Sequence, residues 1–243
     1  MSILLIPIAP LSRTKTRLKD CFSNAQLKEL TIAMFNDLGN TLTNVNCFDR
    51  KIVYCSDDEI LDLAENYGLD AIKEEVTHPR KSFDDVINDL NTIAIKRFNA
   101  ECTVFTFLDI ILISAENFVE ISSLITNHQL VVCPAIHSAG VSILGRNPPN
   151  IIPSFFSDPH TPSFIALLNH AKEKGIKKLV IYDSFRAGFD IDIKQDLVLA
   201  YEYLKIFNLV STETFKFLNK NLKFALQKTD INNNREFRIF EKE

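Results

Sequence analysis

The side chains that could do chemistry form two sets, three basic residues near the start of the chain and three aspartates further along it: Arg13, Lys15, Arg17, Asp109, Asp190 and Asp192. Lysine and arginine hold polyphosphate, the first as a point charge and the second as a planar fork. Aspartates that share one face repel each other, and a divalent cation relieves that repulsion. An oxygen-rich magnesium site facing a cationic loop is the arrangement that phosphoryl or nucleotidyl transfer needs, because negative charge at phosphorus must be offset.

Each set also has a plainer interpretation, and the residue types alone leave both open. The basic residues could form a solvated loop. Asp109 could be a turn or helix-capping acid, although it closes the apolar stretch VFTFLD, where an uncompensated carboxylate is costly. Asp190 and Asp192 could form an exposed acidic turn. If the stretch FDIDI is extended, however, both carboxylates point to one face while Ile191 points away.

The order of apolar runs predicts the elements that must position these residues. Strands are predicted at 3–9, 51–56, 70–75, 102–110, 128–135, 141–146 and 177–183. Segments with helical apolar spacing lie between most of them, with Ser23 and Ser114 as capping residues. This alternation indicates an α/β domain with a mostly parallel sheet. Ligands of such sheets bind beyond the carboxyl ends of the strands, and both chemical sets follow predicted strands.

Glycine usage narrows the kinds of phosphate site. Among 243 residues there are six glycines, and no two stand closer than five residues apart. Neither GxGxxG nor GxxxxGK[ST] occurs, so a Rossmann dinucleotide site and a P-loop are excluded. A GxSxG nucleophile elbow is missing as well, which argues against a Ser-His-Asp hydrolase. Bound phosphate must therefore be held by cationic side chains, a metal ion, helix N-termini or non-glycine backbone.

Charge, cysteine content and hydropathy exclude further classes of partner. A net charge of −4 provides no basic field for nucleic acid. The five cysteines are widely spaced without a CxxC pair, which predicts buried reduced thiols. The apolar runs are shorter than the ~20 residues that cross a bilayer. The first residues, MSILLIPIAP, lack a basic n-region, so we expect a cytoplasmic protein that does not bind membranes.

Four stretches of the sequence resemble one family: IPIAPLSRTKTRL, LDIILISAENF, PSF at 162–164 and YDSFRAGFDIDIKQDL. Over residues 1–205 the chain resembles the 2-phospho-L-lactate guanylyltransferases of coenzyme F(420) biosynthesis, which are similar to the molybdenum-cofactor guanylyltransferases. The resemblance implies a three-layer α/β/α sandwich of the nucleotide-diphospho-sugar transferase type without a GxGxxG loop. It also implies transfer of GMP from GTP to 2-phospholactate or phosphoenolpyruvate, with pyrophosphate released.

The resemblance assigns phosphate and metal roles to individual residues. Lys15 and Arg17 match the family's KxRL motif, which binds the GTP phosphates. Asp109 matches the aspartate that opens its DLPLL motif, and Asp190 and Asp192 match its DID motif. These three acids are implied to carry Mg²⁺. Lys15, Arg17 and Asp109 are the expected catalytic residues.

Further contacts are expected around the nucleotide and the acceptor. Nucleotide contacts are expected at Arg13, Asp84 and Gly140 as well. Ser163 matches the serine of the family's SF motif, which holds the acceptor, and Ser142 is the second expected acceptor contact.

The chain departs from the family pattern in three places. The family's GGTN reads AGVS at 139–142, and DLPLL reads DIILI with Ile111 in place of proline. The family's LNxAL reads FDDVI, with Asp84 in place of asparagine. A carboxylate there could accept hydrogen bonds from a guanine edge but would repel phosphate. These changes leave two alternatives open, a different acceptor and a weaker activity.

We expect a nucleotidyltransferase domain at 1–208 and a C-terminal helix with a polar tail at 209–243, packed on that domain or forming a homodimer contact. The apolar side chains that could serve either purpose are Phe215, Phe217, Leu218 and Phe224. The expected partners are GTP and a small phospho-acid. Two other functions stay open: a nucleotidyltransferase for another phospho-acid or a sugar phosphate, and a nucleotide-binding relative without catalysis.

Overall fold

The computed structural model describes residues 1–137, 139–228 and 235–241, with side chains as far as residue 222 apart from residue 138. The strands are β1 Ser2–Pro7, β2 Arg50–Cys55, β3 Asp70–Lys73, β4 Cys102–Thr106, β5 Leu130–Pro134, β6 Val141–Arg146, β7 Leu179–Ile181, β8 Leu222–Lys228 and β9 Arg235–Glu241. The α-helices are α1 Asn24–Thr43, α2 Asp58–Asn66, α3 Phe83–Phe98, α4 Ala115–Asn127, α5 Ser163–Glu173, α6 Phe185–Gly188, α7 Lys194–Ile206 and α8 Glu213–Asn221. Two short 3-10 helices span Leu11–Arg13 and Thr16–Leu18.

Seven strands form one mixed sheet in the order β3-β2-β1-β4-β6-β5-β7. Strand β1 pairs in parallel with β2 and β4, β3 pairs in parallel with β2, and β7 pairs in parallel with β5. Strand β6 runs antiparallel to both β4 and β5. Residues 135–140 join β5 to β6, and so short a connection permits a hairpin but no parallel crossover. The predicted α/β class with a mostly parallel sheet is confirmed.

Helices cover both faces of this sheet. One face packs against α3 and α5 through a cluster of fully buried residues that includes Ile3, Leu5, Ile52, Ile87, Leu90, Phe105, Val132, Leu144 and Leu167. The opposite face meets α4, where a Cβ added at Gly145 would lie 3.1 Å from side-chain atoms of Ile125 and Val131. Because successive strand residues point to opposite faces, Leu144 and Gly145 contact different helix layers. The predicted three-layer sandwich is confirmed.

The apolar run at the start of the chain forms strand β1 in the middle of the sheet. Residues Ile3 to Ile6 are fully buried, as expected for a parallel strand covered on both faces. The prediction extended this strand to residue 9, but it ends at Pro7. Proline has no N–H to donate to the ladder. The Ile8 N–H still donates to the carbonyl oxygen of Tyr54 at 2.9 Å, so the chain leaves the sheet just beyond Pro7.

Helix starts follow the capping residues in the sequence. Ser82 Oγ accepts the Asp85 N–H at 3.1 Å, and the Asp85 carboxylate accepts the Ser82 N–H at 3.0 Å. The Ser114 N–H donates to Asn117 Oδ1 at 3.0 Å in the same reciprocal pattern. These capping boxes satisfy N–H groups that the first helical turn leaves unpaired. The predicted cap at Ser114 is confirmed.

The chain divides into two compact units. The first comprises Met1–Pro10 and Leu38–Asp190, and the second comprises Leu11–Asp37 and Ile191–Glu243. The first unit holds the seven-stranded sheet. The predicted boundary at residue 208 falls inside the second unit.

The second unit contains the C-terminal segment. The predicted helix is α8, and its Phe217 packs edge-on against Phe22 at 5.3 Å, while Phe215 stacks on Tyr201 at 5.2 Å. Leu218 is fully buried, so these three side chains pack within the chain. The Phe224 side chain lies outside those described, as do residues 229–234 of the predicted polar tail. Strands β8 and β9, which pair as an antiparallel ribbon, were not predicted.

Two further expectations can be compared with the structure. Cys21, Cys55, Cys102 and Cys133 are buried as predicted, whereas Cys47 is only partly buried, and all five are free thiols. Among the described residues, no helix combines the length and the apolar character needed to cross a membrane.

Candidate active site

Lys15 lies between the two 3-10 helices, in a backbone conformation that is rare for residues with side chains. Its φ of 47° and ψ of 40° are left-handed. The Lys15 ammonium donates to the carbonyl oxygen of Ile191 and lies 3.3 Å from Asp192 Oδ1. The lysine side chain is only 10% exposed. The backbone strain at Lys15 therefore accompanies a buried cation aimed at the predicted DID motif.

Arg17 reaches the same aspartate from solvent. Its Nη1 lies 2.9 Å from Asp192 Oδ2, and its side chain is 69% exposed. Each Asp192 oxygen thus faces a different cation. Both partners of Asp192 belong to the predicted phosphate-binding motif. The second unit therefore brings three of the predicted site residues, Lys15, Arg17 and Asp192, into direct contact.

Asp196 positions Asp192 through the backbone. One Asp196 oxygen accepts the N–H groups of Asp192 and Ile193 at 2.7 and 2.8 Å, at the start of α7. Asp196 is 1% exposed. Sequence reasoning missed this residue, although an acid at the third position of a helix is a capping signal.

Asp109 and Asp190, which the sequence assigned to the metal, lie in the first unit on segments that are cross-linked. Arg186 Nε donates to the carbonyl oxygen of Leu112 at 2.7 Å. The Asn117 amide donates to Tyr182 Oη at 2.9 Å and to Ser184 Oγ at 3.4 Å. Asp109 and Asp190 are both partly buried. The turn after β4 and the turn before Asp190 are therefore held together, a connection that the sequence did not predict.

The donor chemistry around these segments suits magnesium. Carboxylate oxygens are the ligands Mg²⁺ takes, and it completes its shell with water and substrate phosphates, so it needs few protein ligands. Within the residues that the structure describes, no group of three His, Cys, Asp or Glu side chains is assembled to hold a metal ion by itself. No closed metal cage is thus present among the described residues, and the magnesium role of Asp109, Asp190 and Asp192 stays a prediction.

The loop that carries the AGVS sequence is tied to the start of α5. The Ala135 N–H donates to the carbonyl oxygen of Gly140 at 3.1 Å, and the Phe164 N–H donates to that of Ala139 at 3.2 Å. Ala139 has a φ of 48°. A left-handed residue favours glycine, which is the residue that the family resemblance expects at this position. This loop and the first turn of α5 are thus adjacent.

The two predicted acceptor residues differ in environment. Ser163 is the first residue of α5 and is partly buried. Ser142 is buried, and its hydroxyl donates to the carbonyl oxygen of Cys133 at 3.2 Å. The Ser142 hydroxyl therefore has a structural partner inside the sheet.

Asp84 lies in the first turn of α3, and its carboxylate accepts bonds from the protein itself. Its partners are the Ser154 hydroxyl and the N–H groups of Phe156 and Ser157, the latter two at 2.8 Å. The nucleotide contact predicted for Asp84 stays a prediction.

The chain is similar to known proteins over most of its length. The family model described as "Guanylyl transferase CofC like" matches residues 1–239. The chain belongs to this family. A 2-phospho-L-lactate guanylyltransferase from Methanocaldococcus vulcanius is 28% identical over 195 residues, which are 80% of this chain and 82% of the relative. The enzyme of that name from Methanothermobacter thermautotrophicus is 24% identical, with 79% and 81% of the two chains covered.

Solved structures share the fold of this CofC-like chain at low sequence identity. A protein from Desulfovibrio desulfuricans, assigned as a nucleotide-diphospho-sugar transferase, has a TM-score of 0.73 at 13% identity and covers 90% of this chain and 94% of its own. A nucleotidyl transferase from Methanothermobacter has a TM-score of 0.58 at 12% identity, with 86% and 99% covered. The predicted nucleotide-diphospho-sugar transferase type of fold is confirmed.

The CofC-like family assignment confirms the resemblance recognised in the sequence. It supports an enzyme that transfers a guanylyl group in coenzyme F(420) biosynthesis. The roles predicted for individual residues, and for magnesium, rest on motif matching together with the contacts described above.

Proposed function

We propose that this chain transfers GMP from GTP to a three-carbon phospho-acid, 2-phospho-L-lactate or phosphoenolpyruvate. A phosphate oxygen of the acceptor attacks the α-phosphorus, the bond to the β-phosphate oxygen breaks, and pyrophosphate leaves. The observation that carries the proposal is the contact of Lys15 and Arg17 with Asp192, at 3.3 and 2.9 Å. It joins the KTRL and DID motifs, the two stretches most specific to the family.

Lys15 and Arg17 hold the GTP phosphates in this proposal. Arg17 is largely exposed, so it can leave Asp192 for a phosphate, whereas Lys15 is mostly buried and held by the Ile191 carbonyl oxygen. Arginine fits phosphate as a fork and lysine as a point charge. Both offset the charge that develops on the departing pyrophosphate. Arg13 stands two residues before Lys15 and supplies further positive charge to the nucleotide.

From the motif matches, the residues that would hold magnesium are Asp109 and Asp190 of the first unit and Asp192 of the second. When bound, the ion would neutralise phosphate charge and polarise the phosphorus centre. The acceptor phosphate is already anionic at neutral pH, so the reaction needs no strong general base. The protein contributes by orienting the two substrates for attack and by excluding their other orientations.

The acceptor is proposed to bind near the start of α5, at Ser163, with the Gly140 backbone beside it. The bond between the Phe164 N–H and the Ala139 carbonyl oxygen supports this, because it makes the two segments neighbours. The Ser142 hydroxyl is directed to Cys133, so it offers the acceptor less than the family's asparagine would. This observation favours an altered preference among phospho-acids.

The experiment is a measurement of pyrophosphate release from GTP with 2-phospho-L-lactate, phosphoenolpyruvate and 3-phosphoglycerate, each with and without Mg²⁺. Magnesium-dependent release with one of the first two supports the proposal. Release only with another acceptor, such as a sugar phosphate, replaces the proposed substrate, and GTP binding without release with any acceptor would mean a binding protein. The homodimer and the cytoplasmic location also stay predictions. Sedimentation of the purified chain measures the oligomeric state.

A further inference from the structure

Asp84 joins the first turn of α3 to a short segment far along the chain. Its Oδ1 accepts from the Ser154 hydroxyl and from the Phe156 N–H at 2.8 Å, and its Oδ2 accepts from the Ser157 N–H at 2.8 Å. The Asp84 N–H in turn donates to Ser157 Oγ at 3.2 Å. We call residues 154–157 the anchored segment. Four hydrogen bonds to one residue hold it against the helix.

Aromatic packing adds to these bonds. Phe156 of the anchored segment lies 5.6 Å from Phe83 and 5.5 Å from Phe107, measured between ring centroids. Phe83 and Phe107 are themselves 5.9 Å apart. Phe107 follows β4 and stands two residues before Asp109. Aromatic pairs at these distances are attractive, so the anchored segment also packs on the turn that carries a predicted metal ligand.

A buried arginine in the sheet holds the chain two residues before the anchored segment. Arg146 is 3% exposed, its Nη1 donates to the carbonyl oxygen of Ile152 at 2.9 Å, and its guanidinium lies 5.0 Å from the centroid of the Phe105 ring. Its Nε and Nη2 have no hydrogen-bond partner in the described part of the chain. Burial lowers the pKa of Arg146 to about 10, and the Asp84 carboxylate opposes that shift. The negative charge of Asp84 thus partly offsets the cost of burying this cation.

We propose that Asp84 is a positioning residue whose carboxylate fixes the anchored segment, and with it the chain leading to Ser163, rather than a contact to the guanine base. The proposal rests on the proposed function, in which Ser163 belongs to the acceptor site. It also accounts for the departure from the family's asparagine. The Phe156 and Ser157 N–H groups bond to different oxygens of Asp84, and an asparagine would place an NH₂ donor at one of these two positions, so one of the two bonds would be lost.

The first test needs no activity and compares Asp84→Asn with Asp85→Asn by hydrogen exchange. Asp85 lies in the same turn, but its carboxylate caps Ser82 and does not contact the anchored segment. We expect backbone exchange at 154–157 to be about tenfold faster or more in D84N and unchanged in D85N. Unchanged exchange in D84N would overturn the proposal.

A second variant guards against a misfolded D84N. Ser154→Ala removes one donor of the anchored segment and leaves the Asp84 carboxylate in place. We expect a smaller acceleration of exchange in S154A, and a combined effect in the double variant that is less than the product of the two. If the acceleration in the double variant equals the product of the two single accelerations, the two residues do not act through one contact.

The second test separates positioning from base recognition. It measures kcat and KM for phosphoenolpyruvate, and kcat/KM for GTP and for ITP, which lacks the exocyclic amine. Positioning predicts a KM for phosphoenolpyruvate raised several-fold in D84N with an unchanged GTP-to-ITP ratio. A collapse of that ratio would instead make Asp84 a base contact. If the wild-type chain transfers nothing, the proposed function fails, whereas the exchange experiment still decides whether Asp84 anchors the segment.

Discussion

Arg186 Nε donates a 2.7 Å hydrogen bond to the carbonyl oxygen of Leu112 and so ties together the two segments that bear Asp109 and Asp190. The two partners are far apart in the chain. The bond is reinforced by Asn117, whose amide reaches Tyr182 and Ser184 on the same pair of segments. The relative placement of two predicted metal ligands therefore depends on side chains that do not themselves bind metal.

Replacing Arg186 by methionine should lower guanylyl transfer more than it lowers stability. Methionine keeps much of the apolar stem but cannot donate a hydrogen bond to the Leu112 carbonyl oxygen. The positions of Asp109 and Asp190 relative to each other are then no longer fixed. Misplacing reacting groups by about an ångström costs on the order of 100-fold in rate. Steady-state rates and thermal unfolding of R186M should be compared with those of Arg80→Met, an exposed arginine. Equal rates in both variants would contradict the positioning role.

Replacing Asp192 by asparagine should separate GTP binding from turnover. The variant removes a negative charge beside Lys15 and Arg17, so GTP binding should be unchanged or tighter. Turnover should fall by about 100-fold or more if the carboxylate also serves magnesium, as proposed. Calorimetric titration with GTP and the pyrophosphate assay give the two values. The exposed Asp183 provides a control, since D183N should alter neither. Undiminished turnover in D192N would argue against the assigned role.

Glycine at position 139 should stabilise the protein. Ala139 has a φ of 48°, a conformation that costs a residue with a Cβ about 1 kcal/mol or more. After the greater flexibility of glycine in the unfolded chain is subtracted, we expect a gain of roughly 0.5–1 kcal/mol in the free energy of unfolding. Thermal unfolding measures it. Ala71→Gly within β3 is the matched control and should lower stability by a similar amount. Destabilisation by both variants would contradict the strain argument.

Cys55 should resist alkylation in the folded protein. Burial raises the pKa of its thiol from 9.0 to about 11, so at pH 8 only on the order of one molecule in a thousand carries the reactive thiolate. Mass spectrometry after iodoacetamide treatment should show modification of the partly buried Cys47 well before Cys55, with both modified in denaturant. Because the unfolded thiol ionises first, this burial should also lower stability as pH rises above about 9. Rapid native labelling of Cys55 would contradict its burial.

Much of the fold was predictable because it depends on local patterns. The run at residues 3–6 is apolar throughout, which is typical of a strand buried on both faces, and Ser82 and Ser114 begin helices through contacts three residues away. The β8–β9 ribbon was missed because its pairing joins residues on either side of 229–234. The three basic residues and the three aspartates were predicted in the same local way, as charges placed after strands, whereas the other site residues came from the family resemblance.

The sequence by itself determined the α/β class, the absence of a glycine-rich phosphate loop, and the family, since all three depend on residue types and short spacings. Only the tertiary structure decided which charges meet. It placed Asp192 against Lys15 and Arg17, and it gave Asp84 three donors from 154–157. The physical reason is that a carboxylate's partner is whatever donor folding brings within about 3 Å, and sequence separation does not limit that distance.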